Sequence, residues 1–179
     1  NGIYLHLTES QNRTYLTGIA TDSHRLSSSS IEIDAGKSFH SIILPKKTVF
    51  QLCNLLIDTN EKVLVQTSES KIQFKIGKTK LISKVIDGKF PDYSRVIPVG
   101  HPNVFEIDRQ TLLTAMQRAS ILSNEKYRGI RVVITKNNLK MISTNSEQEQ
   151  AEEEMEIKYQ GEDIDVGFNV TYLIDVLIN

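Results

Sequence analysis

A long-period internal repeat constrains this chain more than any single motif. Thr21-Asp22-Ser23 recurs as Thr144-Asn145-Ser146, Ile31-Glu32-Ile33 as Met155-Glu156-Ile157, and the helical pattern starting at Pro45 as the one starting at Asn169, at offsets of 123, 124 and 124 residues. Elements of matching type, in one order and at one spacing, describe a duplicated domain of that length, far above the roughly 20 to 50 residues that mark solenoids. With 179 residues, the chain is too short for two full copies. The helix expected from Arg109 has its counterpart before residue 1, and the strands after the Pro45 helix have theirs after residue 179. The sequence therefore reads as the back of one domain, residues 1–102, joined to the front of the next, residues 103–179.

Within each part the side-chain periods alternate between strand and helix. Ile3, Leu5 and Leu7 alternate with Tyr4, His6 and Thr8, the period-two signature of a half-buried strand. The polar run from Glu9 to Arg13 reads as a turn and Thr14 to Ala20 as the returning strand. Ile31, Ile33 and the run Ile42 to Leu44 supply further strands. Pro45 fits the first position of a helix, with Val49, Leu52, Cys53 and Leu56 on its apolar face. Lys62 to Gln66, Lys71 to Ile76 and Thr79 to Ile86 alternate again. Asp108 is placed to cap a helix from Arg109 to about Ser123, with Leu112, Ala115, Met116 and Ala119 facing a core. A hairpin follows across Lys136-Asn137-Asn138, then alternating runs at Met155 to Tyr159 and Ile164 to Phe168, and a helix capped by Asn169. The class is α+β with antiparallel sheets.

Between the two parts lies Ile86-Asp87-Gly88-Lys89-Phe90-Pro91-Asp92-Tyr93-Ser94-Arg95-Val96-Ile97-Pro98. Pro91 fixes its own φ and drives Phe90 towards an extended backbone, so the stretch ends the preceding strand and offers apolar surface on a stiff support. Such a segment serves either as a plain linker with its aromatics tucked inwards or as the wall of a shallow groove.

Charge and cysteine usage exclude several classes. Lys plus Arg total 21 against 22 Asp plus Glu, so DNA binding needs a local basic patch rather than a polybasic whole. One cysteine, Cys53, permits no intrachain disulfide and fits a reducing cytosol, where it reads as a small buried hydrophobe. No apolar run reaches the 18 or so residues of a membrane span. The sequons at Asn12 and Asn169 are therefore read as accidental.

The catalytic motifs are weak. Gly77-Lys78-Thr79 resembles the end of a phosphate-binding loop, but Ile72 stands where that loop needs glycine, and a hairpin turn accounts for it better. Asp22-Ser23-His24 holds the residue types of a hydrolytic triad, yet neighbours on an extended chain point to opposite sides. The histidines His6, His24, His40 and His101 show no metal-ligand spacing. A small cytosolic hydrolase or nuclease using His24 and Asp22 stays as the rival reading, with a protein-interaction module that has no DNA role as a third.

Ala20-Thr21-Asp22-Ser23-His24-Arg25-Leu26, Asp87-Gly88-Lys89-Phe90-Pro91-Asp92-Tyr93, Ile121-Leu122-Ser123-Asn124-Glu125-Lys126-Tyr127-Arg128-Gly129 and Gly167-Phe168-Asn169-Val170 carry a specific likeness. With these in order over nearly its whole length, the chain resembles the bacterial sliding clamps, the beta subunits of DNA polymerase III. Ser23 stands where that family commonly has glycine, at a position that favours positive φ. The resemblance implies the DNA clamp fold, with repeated domains of antiparallel sheet and two helices each, here truncated at both ends. It also implies a non-catalytic processivity factor without cofactor or metal, cytoplasmic and nucleoid-associated, in which two protomers close a ring around duplex DNA.

By the same resemblance, His24, Arg25, Leu26, Pro91, Arg95, Val96, Asn169 and Tyr172 match a groove that binds short linear motifs. Its partners are the polymerase III alpha subunit, the clamp loader, other polymerases and repair proteins. Lys46, Lys47 and Arg118 match positions facing DNA. Ile121 and Leu122, with Glu147, Glu149, Glu152 and Glu153, match the protomer contact of the homodimeric ring. The family's groove also uses residues near the extreme C-terminus, so the resemblance implies an incomplete groove here and no closure of the normal ring by this chain.

Overall fold

The N-terminal alternation folds into a hairpin of β1 (Gly2–Ser10) and β2 (Arg13–Thr21), closed by Gln11 and Asn12. Both turn residues have positive φ, 50° and 62°, as the tight two-residue hairpin turn requires. This computed structural model describes residues 2–34, 39–57 and 60–179. The chain divides into two compact units, Asn1–Tyr93 and Ser94–Asn179, whereas the boundary expected from sequence stood at residue 102.

In the first unit, β3 (Leu26–Glu32) and β4 (Ile42–Pro45) complete an antiparallel sheet in the order β3-β2-β1-β4. Helix α1 (Lys46–Leu55) follows directly, then a three-stranded sheet in the order β5-β6-β7 from Val63–Thr67, Lys71–Ile76 and Thr79–Lys84. Gly77 and Lys78 form the two-residue turn between β6 and β7, with Gly77 at φ 53°, so the phosphate-loop likeness is a hairpin. Ile42, Leu44, Ile72 and Phe74 make the core, with Leu5, Val49, Leu52 and Leu81 packed against it.

Two expectations for α1 are corrected. Pro45 is the extended N-cap residue and the end of β4 rather than the first helical residue, because its ψ of 141° keeps it in the strand. Cys53 is exposed, so it is not the buried hydrophobe its spacing suggested. The helix turns Val49 and Leu52 to the core and anchors itself through Thr48, whose hydroxyl lies 2.8 Å from that of Ser83. The packed arc is thus narrower than the apolar stripe.

The second unit begins with α2 (Arg109–Ser120), capped as expected by Asp108, whose Oδ1 accepts from the Thr111 amide at 2.7 Å and its hydroxyl at 2.8 Å. These bonds hold the Asp108 carboxyl below its usual pKa. Strands β8 (Gly129–Thr135), β9 (Asn138–Thr144), β10 (Gln150–Glu156) and β11 (Ile164–Asn169) form a sheet in the order β10-β9-β8-β11, and α3 (Val170–Ile178) follows. Its core gathers Met116, Ala119, Ile130, Leu139, Met141 and Tyr159. Sheet order and the strand-to-helix step after β4 and β11 are the same in both units, which is the repeat seen in the sequence. Even the turn residues Asn12 and Asn137 share positive φ, 62° and 59°.

Candidate functional site

The loop between β2 and β3 is built by one carboxylate. Asp22 Oδ1 accepts the amides of His24 and Arg25 at 3.1 and 3.0 Å, and Oδ2 accepts Arg25 Nε at 3.0 Å. Thr21 Oγ1 donates to the Arg25 carbonyl at 2.8 Å and accepts the Ser23 amide at 3.3 Å. Ser23 sits at φ 75°, in the left-handed region that glycine occupies with least strain. The result presents His24 and Arg25 at the surface and leads into half-buried Leu26, opposite Thr21 at the start of β3. The bonds from the His24 and Arg25 amides and the guanidinium hold Asp22 below the usual carboxylate range. A carboxylate so engaged is a loop former and a poor general base near neutral pH.

The segment carrying Pro91 is laid against β1. The Ile86 amide donates to the Ile43 carbonyl at 2.9 Å, and Gly88 at φ 147° turns the chain. Phe90 stacks on Tyr4 with centroids 4.9 Å apart and planes 8° from parallel, and Tyr4 stacks on His6 at 4.7 Å. Tyr93 completes the ladder, its hydroxyl 2.9 Å from His6 Nε2. The aromatics of the joint therefore do tuck inwards, and this packing fixes the exposed Pro91. Tyr4 and His6 were not singled out in the sequence; aromatic residues at alternating positions facing a Phe-Pro joint were the available signal.

In the second unit, Arg95 ends a single 3-10 turn and Val96 is 67% exposed. Asn169 caps α3, its Oδ1 accepting the Thr171 amide at 2.9 Å, while the Val170 amide donates to the Arg128 carbonyl at 2.8 Å. Tyr172 lies half-buried in the first turn of that helix.

The other expected site residues fall on three features. Lys46 and Lys47 are exposed in the first turn of α1, with Lys46 Nζ 5.6 Å from the Phe50 ring centroid. Arg118 lies in the last turn of α2 and pairs with Glu153 on β10, joining a residue expected to face DNA to one expected at the protomer contact. Ile121 caps the C-terminus of α2 at 75% exposure, next to half-buried Leu122. A cleft of about 300 Å³ brings Ile121 together with Asn145 and Glu147. Asn145 Oδ1 accepts the amides of Glu147 and Glu149 at 3.0 and 2.9 Å, and Glu152 pairs with Lys140. Strand β10 is one of the two edges of its sheet.

Among the described residues no three His, Cys, Asp or Glu side chains converge as metal ligands, and no helix is long and apolar enough to cross a membrane.

Comparison with known proteins places this architecture. The model of the DNA polymerase III beta subunit central domain matches residues 1–92, and that of its C-terminal domain matches residues 94–179. The beta sliding clamp of Pseudomonas putida is 41% identical over 99% of this chain and 47% of its own length. A crystal structure of the Pseudomonas aeruginosa sliding clamp bound to griselimycin superposes with a TM-score of 0.91 at 40% identity, over 99% of this chain and 47% of that one. The Caulobacter crescentus beta subunit gives 0.93 at 34% identity, again over 99% and 47%. Two units of repeated antiparallel sheet with inserted helices are thus those of a DNA clamp, and the chain belongs to the DNA polymerase III beta subunit family, the beta sliding clamps. It spans about half the length of the curated relatives it matches.

Proposed function

We propose that this chain is part of a non-enzymatic processivity factor that encircles duplex DNA as a ring and tethers polymerase, clamp loader and repair proteins through a peptide-docking groove. The first unit is the C-terminal part of the middle clamp domain and the second the N-terminal part of the third. The observation that carries the reading is the loop Asp22 to Leu26, held by one carboxylate so that a basic head, an imidazole and an apolar side chain stand ready at one strand end. Preorganised loops on a rigid sheet bind extended ligands without first losing conformational entropy.

In this reading Leu26, Pro91 and Val96 form the apolar floor, where one buried Leu or Phe anchor contributes roughly 1.5 to 3 kcal/mol. Arg25 and Arg95 pack their stems and bond the peptide, with His24, Asn169 and Tyr172 at its borders. The Pseudomonas aeruginosa clamp is found bound to griselimycin, which supports a ligand-binding groove in this reading. Lys46 and Lys47 contact phosphates without base readout, which suits a ring that slides. Ile121, Leu122 and the Glu147 to Glu153 edge meet the other protomer in a ring that works in the cytoplasm.

The test is a backbone NMR titration with a pentapeptide of the Gln-Leu-x-Leu-Phe type. Shifts concentrated at His24, Leu26, Arg95 and Val96 support the groove. Silence both here and in the full-length gene product would sink it.

A further inference from the structure

The three-stranded sheet of the first unit turns one face to the core and one to solvent. Ile72, Phe74 and Leu81 point inwards, so Lys71 and Lys75 on β6 and Lys80, Ile82 and Lys84 on β7 share the outer face. The register sets Lys71 directly opposite Lys84 and Lys75 directly opposite Lys80. Like charges in such positions destabilise a strand pair. Strands β5 to β7 hold no Asp or Glu, and none of these lysines makes an ion pair among the described residues.

Other sheet surfaces of the molecule are treated differently. Arg131 is bonded by Asp165 across β8 and β11, Lys140 by Glu152 across β9 and β10, and Arg13 by Glu32 across β2 and β3. The basic face also carries Ile82 at 60% and Leu64 at 53% exposure, beside a neutral Gln73 to Gln66 hydrogen bond of 2.8 Å. Its Lys71 and Lys84 end opens onto a cavity of about 700 Å³ lined further by Tyr4, Ser41 and Ser70, with Glu69 and Asp87 also at its wall.

We propose that this face docks an extended acidic segment of a partner protein, with acidic, apolar and acidic residues at alternate positions. Lys80, Ile82 and Lys84 stand at i, i+2 and i+4 of one strand, so the two lysines lie about 13 Å apart with an aliphatic group between them. An extended ligand repeats that spacing on its own facing side, setting one carboxylate over each lysine pair and an apolar side chain over Ile82. A phosphate backbone matches the lysines alone, and the strands of this face offer no outward aromatic ring on which a base could stack. The protein partner therefore fits the whole surface.

Fluorescence anisotropy of a labelled, end-blocked Glu-Ser-Leu-Thr-Glu peptide with the 179-residue chain tests this at low ionic strength. Binding should weaken about tenfold in Lys80→Glu with Lys84→Glu, and with added salt. It should weaken also in Ile82→Ser and for the permuted peptide Leu-Ser-Glu-Thr-Glu. Lys84→Glu alone should raise Tm, because it replaces an opposed like-charge pair by an ion pair. The proposal falls if neither peptide binds, if oligothymidylate displaces the peptide while Ile82→Ser has no effect, or if Lys84→Glu lowers Tm.

Discussion

Arg118 in the last turn of α2 and Glu153 on edge strand β10 form a two-point ion pair, with Nε 2.8 Å from Oε1 and Nη2 2.7 Å from Oε2. The fork geometry fixes both partners and ties the helix to β10, one of the two edge strands of its sheet. Arg118 is thereby a neutralised cation, which leaves Lys46 and Lys47 as the better candidates of the three for the phosphate contacts proposed above.

The pair should make stability acid-sensitive. The Arg118 hydrogen bonds hold the Glu153 carboxyl below its ordinary range. A lowered carboxylate pKa stabilises the fold fully above the unfolded value, and the effect is lost as pH falls through the folded one. Thermal unfolding followed from neutral pH downwards should show a shallower acid limb in Glu153→Gln than in the parent. Superimposable limbs would mean that the pair contributes nothing to stability.

Ser23→Gly should stabilise the chain. A serine at φ 75° carries a left-handed cost of about 1 kcal/mol that glycine escapes, partly offset by glycine's greater freedom when unfolded. Urea denaturation should give a higher midpoint with an unchanged slope. A lower midpoint would show that the serine side chain contributes more than its backbone strain costs.

The aromatic ladder should hold the joint in place. Tyr4→Ala removes both stacks, and Tyr93→Phe removes the hydroxyl contact to His6, a loss of about 1 kcal/mol. Hydrogen exchange at the Ile86 amide, bonded to Ile43, reads the result directly. Faster exchange in both variants is expected, larger for Tyr4→Ala; unchanged protection would mean that the backbone bridge alone secures the segment.

Leu26→Asp should abolish pentapeptide binding while leaving the unfolding free energy within about 1 kcal/mol of the parent, because Leu26 is only half-buried. Loss of fold in this variant would reassign the residue to the core.

Lys46→Glu with Lys47→Glu in the full-length ring should shorten its residence on circular DNA and lower the salt slope by about 2, one for each lost phosphate contact. An unaltered slope would remove α1 from the DNA-facing wall.

Much of the fold was legible because it rests on local periods. The strands, the Asp108 and Asn169 caps and the hairpin at Gly77-Lys78 each depend on residues within a few positions of one another, and the repeat exposed their order. Cys53 was misread because periodicity says which residues share a stripe but not how much of it a neighbouring sheet covers. Pro45 suits both the last position of a strand and the first of a helix, and β1 decides between them by pairing with it through Gly2. Arg118 and Glu153 are 35 residues apart, and Tyr93 and His6 are 87 apart. No local pattern links residues at such separations; only the packed sheet brings them together. For the candidate site, the Asp22 loop was visible as a motif, while the support of the Pro91 segment by Tyr4 and His6 was not.

Asp22 and Asn145 occupy the same station in the two copies, each folding a strand end around its own side-chain oxygen. Positive φ falls one residue past Asp22, at Ser23 (75°), and three past Asn145, at Gln148 (66°). The same device, an Asx oxygen closing a strand end, thus presents a basic and apolar cluster in the first unit and a row of glutamates in the second. Because the fold of the bend depends on the Asx oxygen and not on the residues it displays, each copy could change its outward chemistry without redesigning its scaffold. Two sockets of opposite charge have in this way grown from a single joinery.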